Sequence, residues 1–257
     1  MDKKDITVIV VTSVIPSHPD THIVDETIKS IRHHLPDSEI ILQIDGLREE
    51  QSHRKADYDE YKNRILWKCL HEYTNVLPII FDEYSHQSTM IKKTIDLVKT
   101  PLMLYVEGDA PLVTDEHINW EACIRMIESG RANTIRFYHE AKVPDVHDWL
   151  MLELEDGFLQ TYQWSQRPHL TKVSYYKNEI IPRLPDRTFI EDVLHSLIYE
   201  AYIVPWRKHG TRDGWNEHKL WIYYPSKTNN KRSYHLDGRN GLRKFTGDDD
   251  AWGLTQV

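Results

Sequence analysis

Carboxylates at two places in the chain have a spacing that could do chemistry. Glu107 and Asp109 stand one residue apart, separated by Gly108, directly after the apolar run Leu102-Met103-Leu104-Tyr105-Val106. Two carboxylates so spaced at a strand end can share one hard divalent cation, and a glycine between them allows the turn that aims both at one ion. The same residues could form an ordinary exposed turn; the strand before them and Pro111 after them favour the metal reading. A second acidic pair, Glu191-Asp192, opens a helical apolar pattern at Val193, Leu194, Leu197 and Ile198. A carboxylate there can take the proton of an attacking hydroxyl, or it can simply favour the positive end of the helix dipole. The segment Gln163-Trp164-Ser165-Gln166-Arg167-Pro168-His169 gathers hydrogen-bonding groups around one indole. It suits an acceptor loop contacting its ligand through Trp164, Arg167 and His169, with Trp164 under a sugar or base face and Arg167 towards an anionic group; a structural turn around a packed Trp is the alternative. Lys92 and Lys93, near a helix start, could approach phosphates or form a solvated face.

The elements that would position these groups alternate between strand and helix. Ile6 to Val11 is a continuous β-branched run, the pattern of a strand covered on both faces, and it ends at Thr12. Val24, Ile28, Ile31 and Leu35 recur at helical spacing, with Asp20 or Thr21 as cap and Pro36 as stop. Ile40 to Ile44 is a second buried strand, ending at Asp45-Gly46. Tyr58, Tyr61, Ile65, Cys69 and Tyr73 mark a helix, Val76 to Phe81 a strand, and Ile91, Ile95 and Val98 a further helix before Leu102 to Val106. This order requires crossover connections and a mostly parallel sheet with helices on both faces. Ligands in such sheets bind beyond the carboxyl ends of the strands, where Thr12, Asp45, Glu107 and Asp109 all fall. The later chain is less regular: a helix at Trp120 to Ile127, strands at Thr134 to Tyr138 and Leu220 to Tyr224, and the helix after Glu191-Asp192.

Taken in order, Thr7 to Thr12, Ile40 to Asp45, Tyr105 to Asp109 and Glu191-Asp192 resemble the landmarks of GT-A-fold glycosyltransferases, especially the inverting family-2 type. The resemblance covers about residues 6 to 200. It implies a single α/β, Rossmann-like GT-A domain over residues 1–257. In it 6–110 would be the nucleotide-sugar-binding half, 111–240 the acceptor-binding and catalytic half, and 241–257 a mobile tail. It also implies that Asp109 ligates a Mn²⁺ or Mg²⁺ on the donor diphosphate, with Glu107 acting on the ribose or through the metal's water. Glu107 replaces the family's first Asp. Asp45 would accept the imide N–H of uracil, although the usual Asp-Asp-Gly-Ser ending is reduced to Asp45-Gly46-Leu47, and Thr12 would contact the nucleoside. Asp192 would be the catalytic base, with Glu191 beside it. A late histidine often completes the metal set; His235 is the best placed, and His195, on the face of Asp192, competes with it.

Composition narrows the classes. A formal charge of -8, from 32 basic and 40 acidic residues, provides no global field for a polyanion. The first apolar run is too short for a signal or membrane helix, so a cytoplasmic location, in a bacterial or virus-infected bacterial cell, is expected. Cys69 and Cys123 offer no zinc spacing or disulfide framework. The reaction that the resemblance implies is sugar transfer from a nucleoside diphosphate sugar, UDP-linked, to a hydroxyl on a glycan or on a hydroxymethylated DNA base of a bacterial virus. The locally basic stretch Arg167, Lys172, Lys177, Arg183 and Arg187 bears on the DNA option. The alternatives are a metal-dependent phosphoesterase and a non-catalytic nucleotide-sugar or glycan-binding module.

Overall fold

The computed structural model describes residues 1–210 and 218–236. The tail expected over 241–257 lies outside them. In chain order the elements are β1 (Ile6–Thr12), α1 (His22–His34), β2 (Ile40–Ile44), α2 (Lys55–His71), β3 (Val76–Ile80), α3 (His86–Thr94) and β4 (Leu102–Glu107). There follow α4 (Trp120–Glu128), β5 (Thr134–Phe137), β6 (Met151–Glu155), β7 (Phe158–Thr161), β8 (His169–Lys172), α5 (Val173–Tyr175), α6 (Ile190–Ile198), α7 (Val204–His209) and β9 (Leu220–Tyr223). The nine strands form one sheet in the order β3-β2-β1-β4-β8-β5-β9-β7-β6. It is parallel from β3 through β4, as the βα alternation requires, and again between β5 and β9. β8 enters antiparallel between β4 and β5, and the β6–β7 hairpin closes the far edge antiparallel to β9.

The sheet divides two cores, and its strands show why the early runs are continuously apolar. Val8 and Val10 of β1, Leu42 of β2 and Leu104 of β4 face one side, against Ile28 and Ile31 of α1, Ile65 of α2 and Ile124 of α4. Ile9, Ile41, Met103 and Tyr105 face the other, against Ile91 of α3 and Leu194 and Ile198 of α6. With period 2 in the strand, both faces must be apolar, and every residue of β1 is buried. Among the described residues no helix is long and apolar enough to cross a membrane.

Three strands of the second half carry other signals. β8 has polar residues on the inside: His169 is fully buried, with Nδ1 bonded to the Arg167 carbonyl at 2.8 Å and Nε2 to the Tyr176 hydroxyl at 2.7 Å. The β6–β7 turn is Asp156-Gly157, both at positive φ (52° and 81°), the backbone that a two-residue hairpin requires.

Gly46 fixes how β2 hands the chain to the site. A Cβ there would lie 2.1 Å from the Glu83 carbonyl carbon and 2.4 Å from the Tyr84 nitrogen, both backbone atoms that have no side-chain freedom to yield. Gly46→Ala is therefore expected to destabilise the fold by about 1–3 kcal/mol, read as a lower denaturant midpoint at unchanged slope.

Candidate functional site

The carboxyl ends of β1, β2 and β4 open into a cavity of about 350 Å³ whose wall includes Thr12, Asp45, Glu107, Asp109 and His235. Thr12 is buried, its hydroxyl donating to the Gln43 carbonyl at 3.0 Å. Gly108 is required here by close approach and not by a left-handed backbone: a Cβ would meet Thr12 Cγ2 at 2.6 Å and the Val11 carbonyl oxygen at 3.1 Å. Its carbonyl accepts the Thr27 hydroxyl of α1 at 2.7 Å, which ties the turn to the neighbouring helix.

A late segment completes this wall. Residues 232–236 run beside 109–113: the Leu236 N–H donates to the Asp109 carbonyl at 2.7 Å, the Tyr234 N–H to the Pro111 carbonyl at 3.0 Å, and the Val113 N–H to the Arg232 carbonyl at 3.0 Å. That pairing sets His235 Nε2 at 3.3 Å from Asp109 Oδ2. Burial opposes the charged imidazole, but the hydrogen bond and charge of Asp109 raise its pKa overall. Glu107, half-buried, is pushed up to about 7 by burial and by Asp109, while Gln87 Nε2 donates to its Oε1 at 2.6 Å. Among the described residues no group of three or more His, Cys, Asp or Glu side chains forms a metal cage. The donor set that is present, one carboxylate oxygen and one imidazole nitrogen with a crowded second carboxylate beside them, fits a Mn²⁺ or Mg²⁺ whose other positions a ligand's oxygens complete.

Asp45 is buried, and its carboxylate accepts the backbone N–H groups of Gly46 (2.8 Å), Ser85 (2.8 Å) and His86 (3.0 Å). Burial raises its pKa, and those hydrogen bonds oppose the rise. Delivering the His86 N–H to Asp45 holds His86 at φ 56°, an uncommon conformation for a residue other than glycine. At the same end Arg48 lies 4.7 Å from the centre of the Tyr84 ring, and both residues line the cavity. Sequence reading missed Arg48, Tyr84, His86 and Gln87, which lie in irregular segments or at a helix start.

A second cavity of about 270 Å³ adjoins the first, sharing Glu107, Phe189 and His235 with it. Arg167 and Glu191 line it, as do Arg136 and His139, which the sequence did not single out. Glu191 Oε2 accepts the Gln166 N–H at 2.6 Å, so it anchors the loop that carries Arg167. Asp192 is exposed and lies outside the lining of both cavities. Its carboxylate makes no hydrogen bond or ion pair among the described residues, and its charge acts on His86.

The structure does not bring the remaining candidates to these cavities. Trp164 is 2% exposed and donates through Nε1 to Gln166 at 3.2 Å, so the indole packs the core instead of facing an acceptor. His169 is held inside β8, as described. Lys92 is bound to Asp186 at 2.6 Å and lines neither cavity. His195 Nε2 bonds the Trp164 carbonyl at 2.6 Å, away from Asp109. Within the basic stretch, Lys177, Arg183 and Arg187 are paired with Asp96, Glu179 and Glu83, whereas Arg167 and Lys172 have no ion pair among the described residues.

No protein-family model and no curated protein matches the chain. Solved structures do match. TarS of S. aureus superposes with a TM-score of 0.50 at 12% identity, over 90% of this chain and 36% of that one. TarS 1-349 in complex with UDP-GlcNAc gives 0.50 at 12% identity, over 88% of this chain and 57% of that one. A mannosyltransferase from Pyrobaculum calidifontis in complex with GDP-Man and Mn²⁺ gives 0.49 at 12% identity, over 87% and 57%. The chain thus spans between about a third and three fifths of these proteins. Its fold is a GT-A-like α/β fold.

Proposed function

We propose that the chain is a metal-dependent glycosyltransferase that moves a sugar, with inversion, from a uridine diphosphate sugar to an acceptor hydroxyl. One observation carries this reading: Asp109, at the end of β4, and His235, from a distant segment, meet at 3.3 Å where two cavities join. The fold shared with TarS, whose structure holds UDP-GlcNAc, supports a nucleotide-sugar donor in the first cavity. A Mn²⁺ or Mg²⁺ held by Asp109 and His235, with Glu107 beside it, would stabilise the charge of the departing diphosphate.

The chain's own residues have separable roles. Asp45 spends three of about four acceptor positions on backbone N–H groups, which leaves one for the uracil imide. Tyr84, over Arg48, offers a ring face to the base. Glu191 has its carboxylate committed to Gln166 and positions the acceptor loop. Asp192, with an exposed carboxylate that makes no hydrogen bond among the described residues, takes the acceptor's proton as the hydroxyl attacks. On this reading the acceptor is a glycan or small hydroxyl compound rather than DNA, because the chain has a formal charge of -8 and three of the five residues of the basic stretch are ion-paired. The enzyme then works in the cytoplasm, where the free thiols of Cys69 and Cys123 stay reduced.

The test is incubation with UDP-sugars, Mn²⁺ and a hydroxyl acceptor panel, followed by product mass spectrometry. UDP and glycosylated product in equal amounts are expected. Phosphate release from simple esters would indicate a phosphoesterase, and donor binding without turnover a binding module. If His235 is a ligand, His235→Ala weakens UDP binding roughly tenfold in Mn²⁺ and less in Mg²⁺, since nitrogen donors favour the later metal. Equal effects in titrations with the two ions would remove His235 from the site.

A further inference from the structure

We propose that the acceptor carries an oxyanion, a phosphate or a carboxylate, beside its reactive hydroxyl, and that Arg136 and Arg167 bind it in the second cavity. The inference rests on the glycosyltransferase reading and names its acceptor class.

Arg136 is on β5, between β8 and β9, and is 5% exposed. It lines the second cavity and not the first. Among the described residues its guanidinium makes one hydrogen bond, from Nη2 to Gln163 Oε1 at 3.1 Å, and its buried Nε has no partner. Among the described residues no carboxylate lies within 4.0 Å of it; its guanidinium carbon sits 5.5 Å from the centre of the Tyr138 ring, and Glu191 and Glu140 act on its charge only from farther away. A guanidinium stays charged inside a protein and has five donors, so a buried one with one bond is costly until an acceptor arrives. Arg167 lines the same cavity, and among the described residues its guanidinium has neither a hydrogen bond nor an ion pair.

The carboxylates in this wall do not fill that role. Glu191 is turned to the Gln166 N–H at 2.6 Å and to His195 at 3.6 Å. Glu140 lies 3.5 Å from His139, and Glu107 is held by Gln87 at 2.6 Å. Elsewhere Arg131, Arg183 and Arg187 each have a carboxylate within 4.0 Å. Two guanidinium groups with no ion pair among the described residues, facing one small cavity, match the planar, bidentate recognition of phosphate or carboxylate. The donor's own diphosphate does not account for them, because on the proposed reading its place is the first cavity, at Asp109, and neither Arg136 nor Arg167 lines that cavity.

The experiment is calorimetric titration of protein saturated with UDP and Mg²⁺, using glucose, glucose 6-phosphate and glucuronate as probes. At least one charged sugar is expected to bind roughly tenfold or more tightly than glucose, and comparing the two arms tells which oxyanion is preferred. Arg136→Gln and Arg167→Gln should each remove most of that advantage. Arg167→Gln, in the loop, keeps the test decisive if the buried variant does not fold. Neither anion binding better than glucose, or an advantage that survives Arg167→Gln, overturns the inference while UDP binding leaves the donor reading standing. Failure of UDP itself to bind overturns both.

Discussion

Asp109→Asn is expected to fold as the wild type does and to lose the metal-dependent part of UDP binding. Asparagine keeps the shape of the side chain but lacks the charge that holds a hard cation, and it removes the anionic partner of His235. The backbone link that shapes this wall, from the Leu236 N–H to the Asp109 carbonyl, is untouched, so the fold should survive. The loss should be at least roughly a hundredfold in Mn²⁺-supported affinity, about 2.7 kcal/mol. Binding measured in chelator should be the same for both proteins. A folded variant with unchanged metal dependence would show that the cation, if any, sits elsewhere.

Asp192→Asn should separate binding from chemistry. A base acts on the acceptor proton in the transition state, so transfer should fall by roughly two to four orders of magnitude with donor affinity nearly intact. Asparagine is also a good helix-start residue, so stability should change little. Glu191→Gln is the informative contrast: its amide oxygen can still accept the Gln166 N–H, and a smaller loss of turnover is expected. Single-turnover transfer and donor titration on the same preparations decide the point. Near-normal transfer by Asp192→Asn with a dead Glu191→Gln would move the base to Glu191, whose carboxylate lines the second cavity.

The first half of this fold could be read from sequence because its strands are buried on both faces. Runs such as Ile6 to Val11 and Leu102 to Val106 match central strands, and the edge that opens into the first cavity follows from where they end. β8 was not legible because its buried face is His169 and Thr171, polar groups satisfied by Tyr176, Arg167 and Asn133 from other parts of the chain. That pairing also explains why His169, expected at the acceptor, is unavailable to it. Trp164 failed similarly: an indole among polar residues reads as a binding platform, yet its N–H is satisfied by Gln166 two positions on, which lets the ring enter the core. The β6–β7 hairpin does have a signal in the sequence, Asp156-Gly157, a pair suited to the positive φ of a two-residue turn. Arg136 had none, since an arginine in a short strand looks solvent-facing until Gln163 and Tyr138 are seen beside it. For Gly108 the type was legible but the reason was not: the close approach of β1 appears only once the strands are paired.

The central claim is that the first cavity binds a uridine diphosphate sugar together with a divalent cation. Its most direct test is a thermal-shift titration of the unmodified protein with UDP-sugars, in the presence and absence of Mn²⁺. A ligand that binds only the native state at a hundred times its Kd adds about 2.7 kcal/mol, which in a chain of this size raises Tm by roughly 5–10 °C. The account predicts such a rise with UDP-sugar plus Mn²⁺ and a much smaller one with either alone. No rise with any nucleotide sugar, with or without the metal, would contradict it.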